Sequence, residues 1–173
     1  MGESYEIDGV DRITVDAVGE PGERTFYVQI QAGPLIVTLL AEKEQVRLLA
    51  EALLQLLGTL PEVDEGVAPD AEALALEGPL EPEWRVGEMA IEYEEANGSV
   101  EIVITEIEAE DEDATQIGAR ARFVVSRAQA RALALHALEV VAAGRPRCQF
   151  CGYPLEPDGH ICPAMNGHRS YQE

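Results

Sequence analysis

Cysteine, histidine and lysine are scarce in this chain of 173 residues, which contains three cysteines, three histidines and a single lysine. Because an odd number of cysteines cannot pair fully into disulfides, the count argues against a secreted domain held together by disulfide bonds. Aromatic residues make up only 5% of the chain and are not interleaved with basic residues. That pattern disfavours a nucleic-acid-binding surface.

Long apolar runs are missing as well. The longest apolar stretches lie near residues 34–41 and 132–143, and they are too short or too interrupted to cross a membrane. The N-terminus has no basic segment followed by an apolar one, so no secretory signal is predicted. We therefore expect a cytoplasmic protein without a membrane partner. The apolar fraction of 46% is typical of a globular chain, and the length suits one domain with an appendage.

Basic charge is also in short supply. The chain has 12 basic and 33 acidic residues, and its net charge is −21. Residues 1–119 hold 5 basic and 29 acidic residues for a net −24, whereas residues 120–173 hold 7 and 4 for a net +3. An acidic body repels nucleic-acid phosphates and anionic membrane surfaces. Nucleic acid is therefore the least favoured partner, and any polyanion would have to contact the C-terminal third.

The few cysteines are concentrated where two of the histidines also lie. Cys148 and Cys151 are followed by His160 and Cys162, which gives the spacing C-x2-C-x8-H-x-C. Two thiolates two residues apart can bind one metal ion from a tight turn, and Gly152 stands where the chain must bend back. Four soft or borderline ligands with no position left open are typical of a structural tetrahedral zinc site. These four residues are our predicted zinc ligands.

Other interpretations of these residues remain open. Cys148 and Cys151 could form a disulfide or stay as free buried thiols, and a redox C-x2-C pair is a further alternative. Redox pairs normally begin a helix, whereas here Pro154 and the turn 156–159 follow. A catalytic zinc would need an open coordination position and a general base. His168 is a candidate for that base, or for a ligand in place of His160.

The remaining sequence predicts two successive units of three strands and a helix. In the first unit, strands are predicted at 13–18, 25–31 and 35–40 and a helix at 42–57, after a loose lead-in at 1–11. Gly58 is predicted to end this helix. In the second unit, strands are predicted at 84–94, 100–107 and 118–125, with a turn at 96–98, an acidic loop at 108–113 and a helix at 127–143 capped by Ser126.

The two predicted helices resemble each other at an offset of 84 residues. Gln45 and Gln129, Arg47 and Arg131, Leu49 and Leu133, and Ala50 and Ala134 are identical pairs. We therefore predict an α+β fold with duplicated strand-strand-strand-helix halves, an antiparallel sheet and a small zinc-ribbon-like C-terminal module. The predicted domains are 1–58, an acidic proline-rich linker at 59–82, a second half at 83–144 and a metal-binding module at 145–173. One continuous sheet and two smaller sheets are both compatible with this pattern.

No sequence motif of catalysis or of nucleotide binding accompanies these elements, so no catalytic residue is assigned. His136 is interpreted as a packed helix histidine. Gly19–Arg24 joins two strands and is predicted to be a hairpin rather than a phosphate loop. A sharper hypothesis joins four arginines into one basic strip that holds a phosphate or an acidic partner, namely Arg120, Arg122, Arg145 and Arg147.

Three segments of the chain resemble the DUF3090 family of actinobacterial and chloroflexal proteins. They are 22–27, 84–89 and the stretch from Gly144 that contains Cys-x2-Cys-Gly-x-Pro-Leu and Gly-His-x-Cys-Pro. The resemblance covers essentially the whole chain and implies one ordered unit, but it implies no activity. From the residues we expect a non-enzymatic adaptor with a structural zinc and a protein partner. The alternative is an enzyme acting on a phosphorylated or anionic small molecule, with His136 or His168 as base beside Arg85 or Arg122.

Overall fold

The structure, a computed structural model, describes residues 2–70, 72–107, 118–155, 159–165 and 169–170. Within them the chain forms a mixed α+β fold with one seven-stranded sheet, two helices and a small two-stranded sheet at the C-terminus. The predicted acidic loop at 108–113 and His168 lie outside the described residues. No helix in the described part of the chain is both long enough and apolar enough to span a bilayer.

The elements follow one another in the predicted order, with one extra strand at the start. The first half contains β1 (Tyr5–Ile7), β2 (Arg12–Val18), β3 (Thr25–Ala32), β4 (Leu35–Ala41) and α1 (Lys43–Thr59). The second half contains β5 (Trp84–Glu94), β6 (Ser99–Glu106), β7 (Arg120–Ser126) and α2 (Arg127–Ala142). Beyond them lie β8 (His160–Ile161), a 3-10 helix (Pro163–Met165) and β9 (Arg169–Ser170).

All seven main strands belong to one sheet, in the order β1-β7-β6-β5-β4-β3-β2. The prediction of an antiparallel sheet is wrong at two junctions, because β1 pairs with β7 and β4 pairs with β5 in parallel. The other four junctions are antiparallel. The parallel β4/β5 junction arises because α1 and the following segment carry the chain back before β5 begins.

The predicted loose lead-in is also wrong in part, since residues 5–7 form β1. This strand has only three residues, too few for an alternating pattern to be recognised in the sequence. It exists because the edge of β7 offers unpaired backbone groups, with Tyr5, Glu6 and Ile7 opposite Ala121, Arg122 and Phe123. The hydroxyl group of Tyr5 donates a hydrogen bond to the carboxylate of Glu83, the residue before β5. Burial and this bond raise the pKa of Tyr5 to about 12.

The sheet is strongly curled. In a flat seven-stranded sheet the outer strands would stand about 29 Å apart, from six spacings of about 4.8 Å. β1 and β2 are the outer strands, yet only residues 8–11 connect them, and such a connection reaches at most about 18 Å. The two edges must therefore approach each other. α2 lies beside this connection, because Gln129 Nε2 donates to the carbonyl of Val10 at 2.7 Å.

One hydrophobic core fills the concave side of the curled sheet. Both helices face it and pack against each other, with α2 also against β2 and α1 against β5. Their buried faces repeat at three and four residues, as predicted, through Val46, Leu49, Ala50, Leu53 and Leu57 and through Ala130, Leu133, Ala134, Ala137 and Val140. The strands contribute alternate residues, such as Val28 and Ile30 in β3.

The two helices start alike and are both anchored by a glutamine. Ser126, the predicted cap of α2, accepts from the backbone N–H of Gln129 at 3.1 Å, and the amide oxygen of Gln129 accepts from Ser126 N. At α1, Glu42 and Gln45 form the same reciprocal capping box. Gln45 Nε2 also donates to the carbonyl of Gly87, within the bulge of β5.

The end of α1 corrects one prediction. The helix continues past Gly58 and ends at Thr59. Leu60 is extended, with φ −86° and ψ 152°. Because Pro61 follows, a helical conformation of Leu60 is disfavoured sterically. Proline rather than glycine therefore ends this helix.

The segment predicted as a linker is held against the body at both ends. Near its start, Glu65 binds Arg131 through two hydrogen bonds of 2.8 Å. Near its end, the buried side chain of Gln29 donates to the carbonyl of Glu77 at 2.8 Å and accepts from its N–H at 2.8 Å. The outer face of β2 and β3 is thus covered by this segment, which explains why a polar Gln29 is buried there.

Candidate metal centre

Cys148 and Cys151 lie in a tight hairpin that runs from residue 146 to residue 155. Its backbone closes through three hydrogen bonds of 2.8 Å, from Cys148 to Tyr153, from Gly152 to Cys148 and from Leu155 to Pro146. Gly152 has φ +74°, a conformation that glycine adopts at no steric cost. The bend therefore falls where the sequence places glycine. The thiols of Cys148 and Cys151 lie within 4.8 Å of each other.

His160 and Cys162 reach the same point from a second segment. His160 belongs to β8, which pairs with β9, and Cys162 follows immediately before the 3-10 helix. Since residues 160 and 162 are two apart in an extended segment, their side chains leave the same face. The structure thus brings the four predicted ligands together, with all four ligand atoms within 4.8 Å of one another.

Two distances within this group, which we call the Cys/His cluster, are close to those of a tetrahedral metal site, and all distances are within 4.8 Å. Cys148 Sγ and Cys162 Sγ are 3.8 Å apart, and Cys151 Sγ lies 3.5 Å from His160 Nε2. Zinc–sulfur bonds of about 2.3 Å and zinc–nitrogen bonds of about 2.05 Å at tetrahedral angles require about 3.8 Å between sulfurs and about 3.6 Å between sulfur and nitrogen. The four ligand atoms are therefore close enough together to hold a single metal ion.

The surroundings of the cysteines suit metal binding more than redox chemistry. No disulfide links the three cysteines, and the 3.8 Å between Cys148 and Cys162 is far longer than a disulfide bond of about 2.05 Å. Burial raises the pKa of the Cys151 thiol, and hydrogen bonds that its S–H donates to Cys162 and Cys148 raise it further, while a hydrogen bond from the backbone N–H of Tyr153 lowers it. A raised pKa is the opposite of what a redox-active thiol needs.

The cluster also has its own small core, separate from the core of the sheet. Cys148, Leu155 and Cys162 are buried together, and Cys151 packs against them partly exposed. Cys162 is 0% exposed and Cys148 2% exposed. So small an apolar core cannot hold a folded segment without a further constraint, because the conformational entropy of the segment opposes it.

Comparison with known families shows to which family the chain belongs. The model of the family described as "Protein of unknown function (DUF3090)" matches residues 5–162. The chain belongs to the DUF3090 family. The match extends through Cys162 and so includes every residue of the Cys/His cluster. No curated protein and no solved structure shows a significant match.

Other candidate residues of this DUF3090 chain lie apart from the cluster. His136 Nε2 is 4.0 Å from Asp16 Oδ2 and has no hydrogen-bond partner among the described residues. Arg85 pairs with Glu42 at 3.1 Å. Arg122 pairs with Asp8 and Glu101. His136 therefore faces a carboxylate, and the arginines that the enzyme hypothesis places beside it are engaged elsewhere.

Arg145 and Arg147 of the predicted basic strip have different surroundings from Arg122 of the same strip. Arg145 and Arg147 line a cavity of about 310 Å³ together with Arg24 and Lys43, whereas Arg122 has its own carboxylates. We call this space the basic cavity. Sequence reasoning missed Arg24 and Lys43. The hairpin at Gly19–Arg24 is confirmed, because β2 and β3 pair antiparallel on either side of it.

Proposed function

We propose that the Cys/His cluster holds a structural zinc ion and that this DUF3090 protein is a non-enzymatic adaptor stabilised by it. The single observation that carries the proposal is the convergence of three sulfurs and one imidazole nitrogen within 4.8 Å. Three thiolates and one imidazole fit zinc better than a hard cation such as magnesium or calcium, which prefers oxygen ligands.

The structural rather than catalytic role rests on the number of protein ligands. Four protein ligands fill a tetrahedral shell and leave no position for water or substrate. The metal would also compensate the buried thiols, since a bound cation favours the thiolate form of Cys151 against the effect of burial. A zinc-ribbon-like module of this size would then owe its stability to the ion.

The first test is the metal content of the purified protein by elemental analysis, together with the variants Cys162→Ser and His160→Gln. We expect one zinc per chain in the native protein and at least a tenfold weaker zinc affinity in both variants, the order of loss expected when a buried ligand is removed. His136→Gln is the matched control, because it removes a histidine outside the cluster and should keep its zinc. Iron in place of zinc, or zinc retained by Cys162→Ser, would refute the proposal.

A protein partner is supported by exposed apolar side chains around the cluster. Phe150 is 54% exposed, Tyr153 60% and Ile161 67%, and each lies within two residues of a cluster residue. Large apolar side chains held in water by a rigid turn are typical of contact surfaces. We propose that a protein partner covers these three side chains, which we call the apolar tip.

Site-specific photo-crosslinking tests the apolar tip. A photoreactive residue at position 150 should yield a crosslinked protein, whereas the same residue at position 135 should not, although Leu135 is equally exposed at 51%. With the crosslinked protein purified, Phe150→Ala should weaken its binding at least about tenfold, as for a central apolar contact. Equal binding by Phe150→Ala and Leu135→Ala variants would exclude the apolar tip as the interface.

The repeated order of elements supports a further proposal, that the two halves descend from one duplicated unit. Gln45 and Gln129 are 84 residues apart, and each closes a capping box and donates to the carbonyl of a neighbouring segment. Equivalent chemistry at equivalent positions is expected if the halves are repeats. A cytoplasmic location is consistent with cysteines that form no disulfide and remains part of this proposal.

A further inference from the structure

The basic cavity is unusual in a chain with net charge −21. It is lined by four of the 12 basic residues of the chain, namely Arg24, Lys43, Arg145 and Arg147, and the described residues that line it include no acidic residue. Arg24 and Lys43 come from the body, whereas Arg145 and Arg147 come from the chain that enters the hairpin of the Cys/His cluster. The cavity therefore lies at the junction between the sheet and the metal centre.

Two glycines allow the cations to converge. A Cβ atom on Gly144 would lie 2.8 Å from Arg24 Nη2 and 3.0 Å from Lys43 Nζ. These two nitrogens are consequently at most about 5.8 Å apart. A Cβ atom on Gly22, which has φ +106°, would lie 3.2 Å from Arg145 Nε. At both positions a side chain would displace a cationic group, so the absence of side chains keeps the charges close together.

Six other arginines of the chain are paired with carboxylates, in contrast to Arg24, Lys43 and Arg147. Arg12, Arg47, Arg85, Arg122, Arg127 and Arg131 all form ion pairs with carboxylates. Within the part of the chain that the structure describes, no carboxylate lies within 4.0 Å of Arg24, Lys43 or Arg147. Arg24 instead donates to the carbonyl of Val140 at 2.8 Å and lies over the ring of Phe26, and Arg147 donates to the carbonyl of Gly152.

The electrostatics of Lys43 reflect this crowding. Burial lowers the pKa of Lys43, and the charges of Arg24, Arg147 and Arg145 lower it further. The charge of the nearby Glu44 opposes the shift and has the smallest of these effects. Like charges kept close together are destabilising, and a bound anion removes that cost.

We propose that the basic cavity is a binding site for a phosphate dianion, either free or as the phosphoryl group of a small phosphomonoester. Guanidinium groups bind phosphate oxygens in pairs, and a lysine adds a point charge. The volume of about 310 Å³ lies at the lower end of the range of about 300–1,000 Å³ found for small-molecule sites, so it can take a phosphoryl group with part of what it is attached to.

Calorimetric titration of the purified protein with inorganic phosphate and with phosphoserine tests the proposal. Sodium chloride at equal ionic strength serves as the reference, because salt alone screens repulsion in so acidic a chain. Saturable binding of phosphate or phosphoserine, absent with chloride, is expected. Tighter binding of phosphoserine would identify a phosphomonoester as the ligand, and tighter binding of inorganic phosphate would identify the free ion.

Variants assign the binding to the cavity. Lys43→Gln and Arg147→Gln should each weaken binding at least about tenfold, as expected for the loss of one charge-assisted contact. Arg85→Gln is the matched control, because Arg85 pairs with Glu42 next to Lys43 but does not line the cavity. Without phosphate, Lys43→Gln should unfold at the same temperature as the native protein or above it, because a repelling charge is gone.

Either of two results would overturn the proposal. One is the same heat and the same thermal shift from phosphate and from chloride at equal ionic strength. The other is unchanged phosphate affinity in both Lys43→Gln and Arg147→Gln. Zinc content is measured on the same samples, so that a failure of the metal proposal is recognised separately from a failure of the anion site.

Discussion

At the scale of single residues, some carboxylates of this acidic chain form specific hydrogen bonds and ion pairs between distant segments. Glu65 binds Arg131 through two hydrogen bonds of 2.8 Å and lies 3.5 Å from Arg127 Nε. Glu106 accepts from the backbone N–H groups of Ala119 and Gly2, and these bonds lower its pKa. Each of these carboxylates connects segments far apart in the chain, which composition alone does not reveal.

The pair of Glu65 and Arg131 predicts a pH-dependent contribution to stability. The hydrogen bonds from Arg131, followed by the charges of Arg131 and Arg127, lower the pKa of Glu65. A lowered folded-state pKa stabilises the protein at neutral pH, above the unfolded-state pKa of about 4.3, and this contribution is lost as the pH falls through the folded-state value. Glu65→Gln should therefore lower the free energy of unfolding by about 1 kcal/mol at neutral pH, since Arg131 is partly exposed.

Urea unfolding at neutral pH and at about pH 3 measures this difference. The difference between Glu65→Gln and the native protein should shrink toward zero at the acid pH. Glu62→Gln, at an exposed neighbouring position, should change little at either pH. A difference that stays constant with pH would show that Glu65 acts through packing rather than through its charge.

At the scale of elements, the two helices and most strands follow from local pattern, and the end of α1 shows where local rules compete. Gly58 is a weak terminator, because glycine in a helix costs only about 1 kcal/mol, whereas the residue before Pro61 is pushed out of the helical region by a steric clash. The three-residue β1 is a case in which local pattern does not suffice, since the strand forms by pairing with β7, which lies more than 100 residues away in the chain.

Gln45 and Gln129 allow the equivalence of the two helices to be measured. Each alanine substitution removes a capping-box partner and the hydrogen bond to a neighbouring segment. We expect Gln45→Ala and Gln129→Ala each to lower the free energy of unfolding by about 1–2 kcal/mol. The measurement is chemical denaturation of both variants.

Gln55→Ala provides the control, because Gln55 is an exposed residue within α1 that has neither role. Its effect should be close to zero, since alanine is the better helix former. Losses for Gln45→Ala and Gln129→Ala that differ by more than about twofold would argue against equivalent roles in the two halves.

At the scale of the whole molecule, the buried hydrophobic residues form two separate clusters, and each is expected to stabilise its own part of the fold. The large core joins the curled sheet to both helices, and the small one contains only Cys148, Leu155 and Cys162, with Cys151 beside them. If zinc holds the small cluster, removal of the metal should affect it selectively, because a metal that binds only the folded form contributes its binding energy to folding.

Hydrogen–deuterium exchange with and without a chelator checks this expectation. Amides of residues 146–155 should lose their protection when the metal is removed, including those of Cys148, Gly152 and Leu155, which close the hairpin. Amides of β3, β4 and α1 should keep theirs, because their core does not include the cluster. Loss of protection throughout the sheet after metal removal, or unchanged protection in the hairpin, would contradict the expectation that the two clusters are stabilised separately.

Sequence pattern alone determined the elements and the four residues of the Cys/His cluster. Helix periodicity, the capping box at Ser126 and the spacing C-x2-C-x8-H-x-C all act over a few residues, within the range that local sterics and hydrogen bonding control. The structure brings Cys148, Cys151, His160 and Cys162 together as that spacing predicts.

Tertiary structure alone decided the arrangement of these parts. The single curled sheet, its two parallel junctions and the docking of 59–82 depend on contacts between distant residues. The basic cavity is the clearest case, since Lys43 and Arg147 are 104 residues apart in the chain. They line one cavity only because α1, the hairpin at 19–24 and the segment that enters the Cys/His cluster lie side by side. Local pattern cannot encode such a meeting, because it results from how the sheet curls and which surfaces are then left to pack against each other.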